Sequence, residues 1–177
     1  MTSLPTRREQ GFSLVETLIV LAITAVTAGS VTPSFQRAHE KRRVESAAAQ
    51  LETELQYARS LAVARNQSVR FSFQVSGENS CYVIHTGAAG ACQCASGTTV
   101  CTGQAEAIRT HTFDAAGKLR ATSSSASFLF DPTRGTVTPT STIELRGHDA
   151  DALRLVVNIT GRIRACSPTG MSGYRAC

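Results

Sequence analysis

The stretch GFSLVETLIVLAITAVTAGSV, residues 11–31, decides how this chain is organised. Between Phe12 and Val31 it contains a single charged residue, Glu16. A helix of about 20 residues, rising about 1.5 Å per residue, is as long as the hydrocarbon core of a bilayer is thick, about 30 Å. The stretch therefore predicts a membrane-spanning helix. Its one carboxylate needs a partner or a proton, because an isolated charge in a membrane is costly.

The residues before this stretch indicate its orientation. Arg7 and Arg8 make the leader basic, and a basic flank stays in the cytoplasm by the positive-inside rule, so the rest of the chain is exported. The alternative is an ordinary signal peptide or a plain membrane anchor. An ordinary signal peptide has a shorter apolar region, and its small-residue cleavage site follows that region, whereas Gly11 precedes the apolar run here.

A basic leader ending in Gly11, followed by Phe12, Ser13, Leu14, Glu16 and a long apolar run, resembles the processing signal of type IV prepilins and type II secretion pseudopilins. The resemblance implies that a prepilin peptidase cleaves between Gly11 and Phe12 and that the new amino group of Phe12 is methylated. It also implies that Glu16 meets the N-terminal amine of a neighbouring subunit during assembly. The expected partners are thus prepilin peptidase, the inner membrane before assembly, and other major and minor pilins afterwards.

We expect three parts in the chain. Residues 1–11 are the cleaved leader, residues 12–34 the transmembrane and filament-core half of an N-terminal helix, and residues 35–177 a periplasmic globular domain. The expected location is the inner membrane, crossed once with a cytoplasmic N-terminus, and then a pilus on the cell surface.

The remaining sequence changes from a helical to a strand-like pattern near Asn66. Before it, apolar residues recur at steps of three and four and predict one buried helical face: Val44, Ala47, Ala48, Leu51, Leu55, Ala58 and Ala62. After it, alternation and turn signals predict strands at residues 68–75, 81–86, 108–113, 127–130, 143–146 and 153–164. In the first strand we expect four residues to point inward: Val69, Phe71, Phe73 and Val75. A helix followed by strands without crossover helices predicts an α+β fold with an antiparallel sheet, and the pilin resemblance implies that the helix packs on it.

Six cysteines in an exported domain predict disulfides, because the periplasm is oxidising. Many pairings are possible, and our expectation joins Cys166 to Cys177 and leaves four to pair among themselves: Cys81, Cys92, Cys94 and Cys101. The last three of these lie in residues 87–104, a small and polar stretch that predicts a long loop stapled by disulfides. A zinc site made by the four is the alternative, which their C-x-C spacing and the compartment disfavour.

The last predicted strand carries concentrated basic charge. The chain has a net charge of +5, and residues 152–177 contain four arginines and no acidic side chain. Arg162 and Arg164 are two positions apart, so on a strand they leave the same face about 6.6 Å from each other. Two guanidinium groups there can grip phosphates, with Arg154 and Arg175 as auxiliaries. We expect Gly161 to add backbone freedom and to keep bulk away from a ligand.

Gly161-Arg162-Ile163-Arg164 also resembles the GRxR motif near the C-terminus of DNA-binding minor pilins of the GspH/FimT family, and the segments Ala58-Arg59-Ser60 and Arg65-Asn66-Gln67 look like that family too. The resemblance implies DNA binding by the pilus in support of natural transformation. Phosphate contacts carry no base code, so we expect non-specific, salt-dependent binding. The competing interpretation is that these arginines are ordinary charges on an edge strand.

The sequence gives no support for an enzyme. His39, His85, His111 and His148 are scattered without ligand spacing, and no nucleophile elbow or phosphate loop is present. We expect each histidine to be a surface or half-buried polar residue, and we expect no cofactor. The alternative to a DNA-binding minor pilin is a GspH-like pseudopilin of a type II secretion system, or a minor pilin that only primes assembly.

Overall fold

The structure is a computed structural model that describes residues 13–95, 98–114, 119–148 and 151–177, without the side chains of residues 30–34 and 95. Gly11 and Phe12, where we expect processing, lie outside the described residues. The chain divides into two compact units, residues 1–38 and 39–177. The expected division at residues 34 and 35 stays a prediction.

One helix, α1, runs from Leu14 to Arg65. In the first unit its large apolar side chains are exposed: Leu14, Val15, Leu18, Ile19, Val20, Leu21, Ile23 and Val26. Within the described residues no helix is both long and apolar enough to cross a membrane, which differs from the span expected at residues 12–31. Part of that run, Phe12 and the side chains of Ser30 and Val31, lies outside the description.

In the second unit α1 buries the face that its periodicity predicts. Six residues of that face have at most 2% of their surface exposed: Val44, Ala48, Leu51, Leu55, Ala58 and Ala62. The helix ends at Asn66, which adopts a left-handed φ of 48°. The Gln67 N–H then donates to the Ala62 carbonyl at 3.1 Å, which closes the last turn.

The strands are β1 (Val69–Ser76), β2 (Asn79–Thr86), β3 (Cys92–Ala95), β4 (Thr98–Cys101), β5 (Ala107–Phe113), β6 (Arg120–Ser123), β7 (Ser127–Phe130), β8 (Val137–Thr138), β9 (Ser141–Arg146), β10 (Ala152–Val157) and β11 (Ile163–Cys166). They form a five-stranded sheet in the order β5-β2-β1-β7-β8, a four-stranded sheet in the order β11-β10-β9-β6, and the pair β3-β4. All strand pairs are antiparallel, which confirms the predicted α+β fold.

A single hydrophobic cluster joins the second half of α1 to both larger sheets. Phe71 lies at its centre, stacked on Tyr82 at 5.1 Å and on Phe128 at 4.8 Å between ring centroids. Val69, Phe71 and Phe73 are buried as predicted, but Val75, next to the last residue of β1, is 64% exposed. Alternation therefore located the strand correctly and extended its buried face too far.

A small disulfide-bonded hairpin covers the other face of the five-stranded sheet. It consists of β3 and β4, whose residues Cys92 and Cys101 form a disulfide, while Cys94 is bonded to Cys81 of β2. The four sulfurs are thus used in pairs, and the zinc alternative is wrong. The stretch 87–104 is also not only a loop, because the two disulfides and strand pairing order part of it.

Candidate nucleic-acid interface

The predicted strand at residues 153–164 is in fact a hairpin. β10 ends at Val157, a turn occupies residues 158–162, and β11 begins at Ile163. The Asn158 side-chain oxygen accepts the Arg162 N–H at 2.9 Å and the Thr160 hydroxyl at 2.8 Å, so one amide organises the turn. Ile159 is 62% exposed at this turn.

Gly161 is required by the fold at this turn. Its φ is +74°, and a Cβ there would collide with the Gly135 carbonyl oxygen and lie 2.7 Å from Arg59 Nε. The backbone freedom expected of this glycine is present. The expected absence of bulk toward a ligand is not its role, because protein atoms fill that space.

Three of the predicted arginines surround one depression on the outer face of the hairpin. Arg162, Arg164 and Arg175 line a cleft of about 560 Å³ together with Val156 and the Cys166–Cys177 disulfide. All three arginines are exposed. No acidic side chain is among the described residues that line this cleft, which we call the outer cleft.

Arg175 lies at the outer cleft because residues 167–177 fold back beside β11. The Ser167 N–H donates to the Arg175 carbonyl at 2.8 Å, and the Cys177 N–H donates to the Ser167 carbonyl at 3.3 Å. The disulfide from Cys166, the last residue of β11, to Cys177 closes the same loop. Arg175 is therefore held beside β11 although it lies eleven positions after Arg164 in the sequence.

Arg154 has a different environment from the other three. It shares the outer sheet face with Arg164, but its Nε lies 2.7 Å from Glu144 Oε2 and it does not line the outer cleft. Arg146 binds the other carboxylate oxygen at 2.7 Å. The hydrogen bonds from Arg146 and then Arg154 hold the Glu144 pKa below its usual value.

A second cleft of about 840 Å³ lies on the other side of the turn. Its lining includes Arg162 again, together with Arg134 from the turn after β7 and Arg59 from α1, and we call it the inner cleft. Sequence patterns did not single out Arg134 or Arg59 as binding residues. The sequence does contain one indication of the turn that carries Arg134. Asp131 lies two residues before Thr133 and three before Arg134, a spacing typical of a turn in which the Asp side chain accepts backbone hydrogen bonds.

The remaining predicted residues have other environments. Glu16 lies in the first turn of α1 and is exposed. His85 is fully buried, unlike the expectation for the histidines. Its Nδ1–H donates to the Thr86 carbonyl and its Nε2 accepts the Ser72 hydroxyl, both at 2.8 Å. Burial lowers the His85 pKa, so the ring is a neutral core group. No cluster of potential metal ligands occurs in the described parts of the chain.

Comparisons with known proteins agree with this architecture. Residues 47–161 match the family model described as type II transport protein GspH, and residues 6–32 match the prokaryotic N-terminal methylation motif. A comparison with curated proteins finds no match.

Solved structures of a minor pilin and of a minor pseudopilin also match the chain. The chain resembles the type IV minor pilin FimU of Pseudomonas aeruginosa with a TM-score of 0.50 and 23% identity, over 71% of this chain and 89% of FimU. It also matches the minor pseudopilin EpsH from the type 2 secretion system of Vibrio cholerae with a TM-score of 0.49 and 12% identity, over 72% of this chain and 98% of EpsH. The GspH model covers well over half of the sequence. The chain therefore belongs to the GspH/FimT family of minor type IV pilins and type II secretion pseudopilins.

Proposed function

We propose that this protein is a minor type IV pilin that binds DNA non-specifically through Arg162 and Arg164 and so supports DNA uptake in natural transformation. The observation that carries the proposal is the convergence of Arg162, Arg164 and Arg175 on the outer cleft, whose described lining has no acidic side chain. Each guanidinium can donate two hydrogen bonds to a phosphate, so three of them form a polyanion site.

The exposure of these side chains supports binding without rearrangement of the fold. Arg162 and Arg164 project from a hairpin whose other face, with Leu155 and Val157, is part of the core. Because β10 and β11 are fixed by that core, DNA meets a backbone that is already ordered, and the entropy lost on binding is mainly that of the arginine side chains.

The outer cleft lacks features that read base sequence. No aromatic side chain is among its described lining residues, so base stacking does not contribute there. Binding then rests on phosphate contacts, which are non-specific and weaken steeply with salt. Several copies in one pilus, along the filament or near its tip, would raise the effective affinity for DNA through avidity.

The N-terminal part of α1 suits assembly with other pilins. Its apolar side chains from Leu14 to Val26 are exposed, and such a surface needs a bilayer or neighbouring helices to cover it. We infer that the chain resides in the inner membrane, is cleaved by prepilin peptidase between Gly11 and Phe12, and is methylated at Phe12. In the filament Glu16 then pairs with the Phe12 amine of a neighbouring major or minor pilin. No catalysis and no cofactor enter this function.

The second candidate is a GspH-like pseudopilin of a type II secretion system, or a minor pilin that only primes assembly. The description of the matching family model, a type II transport protein, favours it. In that case the arginines of the outer cleft serve only as solvated surface charge.

The experiment compares DNA binding of three full-length proteins in neutral detergent at low salt. They are the native chain, the variant Arg162→Gln plus Arg164→Gln, and the control Arg65→Gln plus Arg120→Gln. The control removes the same charge from two exposed sites, the end of α1 and strand β6, the edge of the four-stranded sheet opposite β11. The proposal expects binding by the native and control proteins and loss of binding in the first variant. Equal DNA binding by all three proteins, or binding by none of them, would favour the second candidate, a pseudopilin or a minor pilin that only primes assembly.

A further inference from the structure

The inner cleft continues the basic surface beyond the residues that the proposed function uses. Arg162 lines both clefts, so the two depressions meet at the turn of residues 158–162. Arg134 lies in the inner cleft and is exposed. The other lining residues of this cleft are polar, apolar or basic, and no acidic side chain is among those described.

Arg134 is presented by a well-ordered turn. The Asp131 Oδ1 atom accepts the Thr133 N–H at 2.9 Å, the Thr133 hydroxyl at 2.6 Å and the Arg134 N–H at 2.9 Å. The Gly135 N–H closes the turn with a 2.9 Å bond to the Asp131 carbonyl. The Asp131 carboxylate is thus engaged with its own turn and does not line the inner cleft.

Arg59 ties this turn to the one that carries Arg162. Its Nε donates to the Gly135 carbonyl at 3.0 Å, and one of its terminal nitrogens donates to the Thr160 carbonyl at 3.2 Å. Gly161 packs on Gly135 so closely that no Cβ fits between them. Both turns are therefore held together, and the fold fixes the backbone positions from which Arg134 and Arg162 project.

We propose that the DNA-binding surface extends across the turn of residues 158–162 from the outer to the inner cleft, with Arg134 as a further phosphate-binding residue. This inference rests on the proposed function. The bound backbone contacts Arg164 and Arg175 on one side of the turn, Arg162 at the turn, and Arg134 on the other side. The chemistry recognised is a run of successive phosphodiesters, longer than the outer cleft alone accommodates.

The test measures the affinity of the full-length protein in neutral detergent for a short fluorescent DNA duplex between about 50 and about 200 mM salt. Three single variants are compared with the native protein: Arg134→Gln, Arg162→Gln and the control Arg120→Gln. The plot of log affinity against log salt has a negative slope, and loss of one phosphate contact makes it shallower by about 0.9. The loss of affinity relative to the native protein should therefore be about threefold larger at 50 than at 200 mM.

We expect Arg134→Gln and Arg162→Gln to show this reduced slope, and Arg120→Gln to keep the native slope. If Arg134→Gln behaves like Arg120→Gln while Arg162→Gln is defective, the inference fails and the proposed function stands. If both Arg134→Gln and Arg162→Gln behave like Arg120→Gln, or if the native protein does not bind DNA, the proposed function fails and the inference fails with it.

Discussion

Glu144 Oε2 lies 2.7 Å from the Nε of Arg154. Arg154 is thus paired with a carboxylate and, unlike Arg162, Arg164 and Arg175, does not line the outer cleft. The second oxygen of Glu144 is 2.7 Å from a terminal nitrogen of Arg146. One carboxylate thus holds two arginines on the sheet face that also bears Arg164, and it partly offsets their charge toward a polyanion.

Replacing Glu144 should strengthen DNA binding. Glu144→Gln removes a negative charge from that face and releases Arg146 and Arg154, so we expect affinity to rise severalfold at low salt. Glu78→Gln is the matched control, because Glu78 pairs with Arg120 of β6, at the opposite edge of the four-stranded sheet from β11. Equal gains in both variants would show that only net charge matters.

The same cluster predicts a dependence of stability on pH. The pKa of Glu144 is lowered from 4.5, first by the hydrogen bond from Arg146 and then by that from Arg154. Its contribution to the free energy of unfolding is therefore complete above about pH 4.5 and is lost as the pH falls through the lower folded-state pKa. Urea unfolding of the native and Glu144→Gln proteins should differ at neutral pH and converge in acid. A constant difference across this range would contradict the account.

Asn158 should be needed to hold Arg162 in place. Asn158→Ala removes the acceptor of the Arg162 N–H and of the Thr160 hydroxyl, which should cost about 1 kcal/mol of stability and weaken DNA binding. Asn158→Asp keeps an acceptor oxygen but adds a negative charge. It should keep the native stability in urea and still bind DNA less tightly, and a loss of stability as large as that in the alanine variant would be inconsistent with the turn described.

Gly161→Ala separates a structural from a ligand-related role of this glycine. The left-handed backbone alone should cost about 1–2 kcal/mol, and the collision with the Gly135 carbonyl adds to that. We therefore expect a clear loss of stability in urea or heat. A variant with native stability and weaker DNA binding would instead support the original expectation that the glycine makes room for a ligand.

The Cys166–Cys177 disulfide should matter for DNA binding because it holds Arg175 beside β11. Replacing both cysteines with serine should lower the free energy of unfolding by about 2–3 kcal/mol. It should weaken DNA binding about as much as Arg175→Gln does, while circular dichroism shows an intact fold. Full native affinity in the serine variant would mean that Arg175 does not need this restraint.

Sequence reasoning succeeded where one element carries its own pattern. The buried face of α1 follows from the spacing of Val44, Leu51 and Leu55, and β7 follows from Phe128 and Phe130 alternating with partly exposed residues. Each of these patterns reflects one side of one element that packs on the core. The antiparallel α+β fold follows from the order of such elements.

The site was harder to predict because it depends on tertiary pairing. Ile159 and Gly161 continue the alternation of β10, so the turn between β10 and β11 is hidden, and the side-chain bonds of Asn158 create it. The pairing of Arg154 with Glu144 requires the register of β9 on β10. Arg134 and Arg162 line one cleft because their two turns, distant in sequence, are joined by Arg59 and by a backbone hydrogen bond from Val137 to Ile159.

The central claim is that Arg162 and Arg164 bind DNA phosphates directly, and the salt dependence of binding tests it most directly. The measurement is the slope of log affinity against log salt for the native protein, for Arg162→Gln plus Arg164→Gln, and for Arg65→Gln plus Arg120→Gln. The account predicts that the negative slope becomes shallower by about 1.8 in Arg162→Gln plus Arg164→Gln, since two phosphate contacts are lost. The control keeps the native slope. Identical slopes and affinities in all three proteins would contradict it.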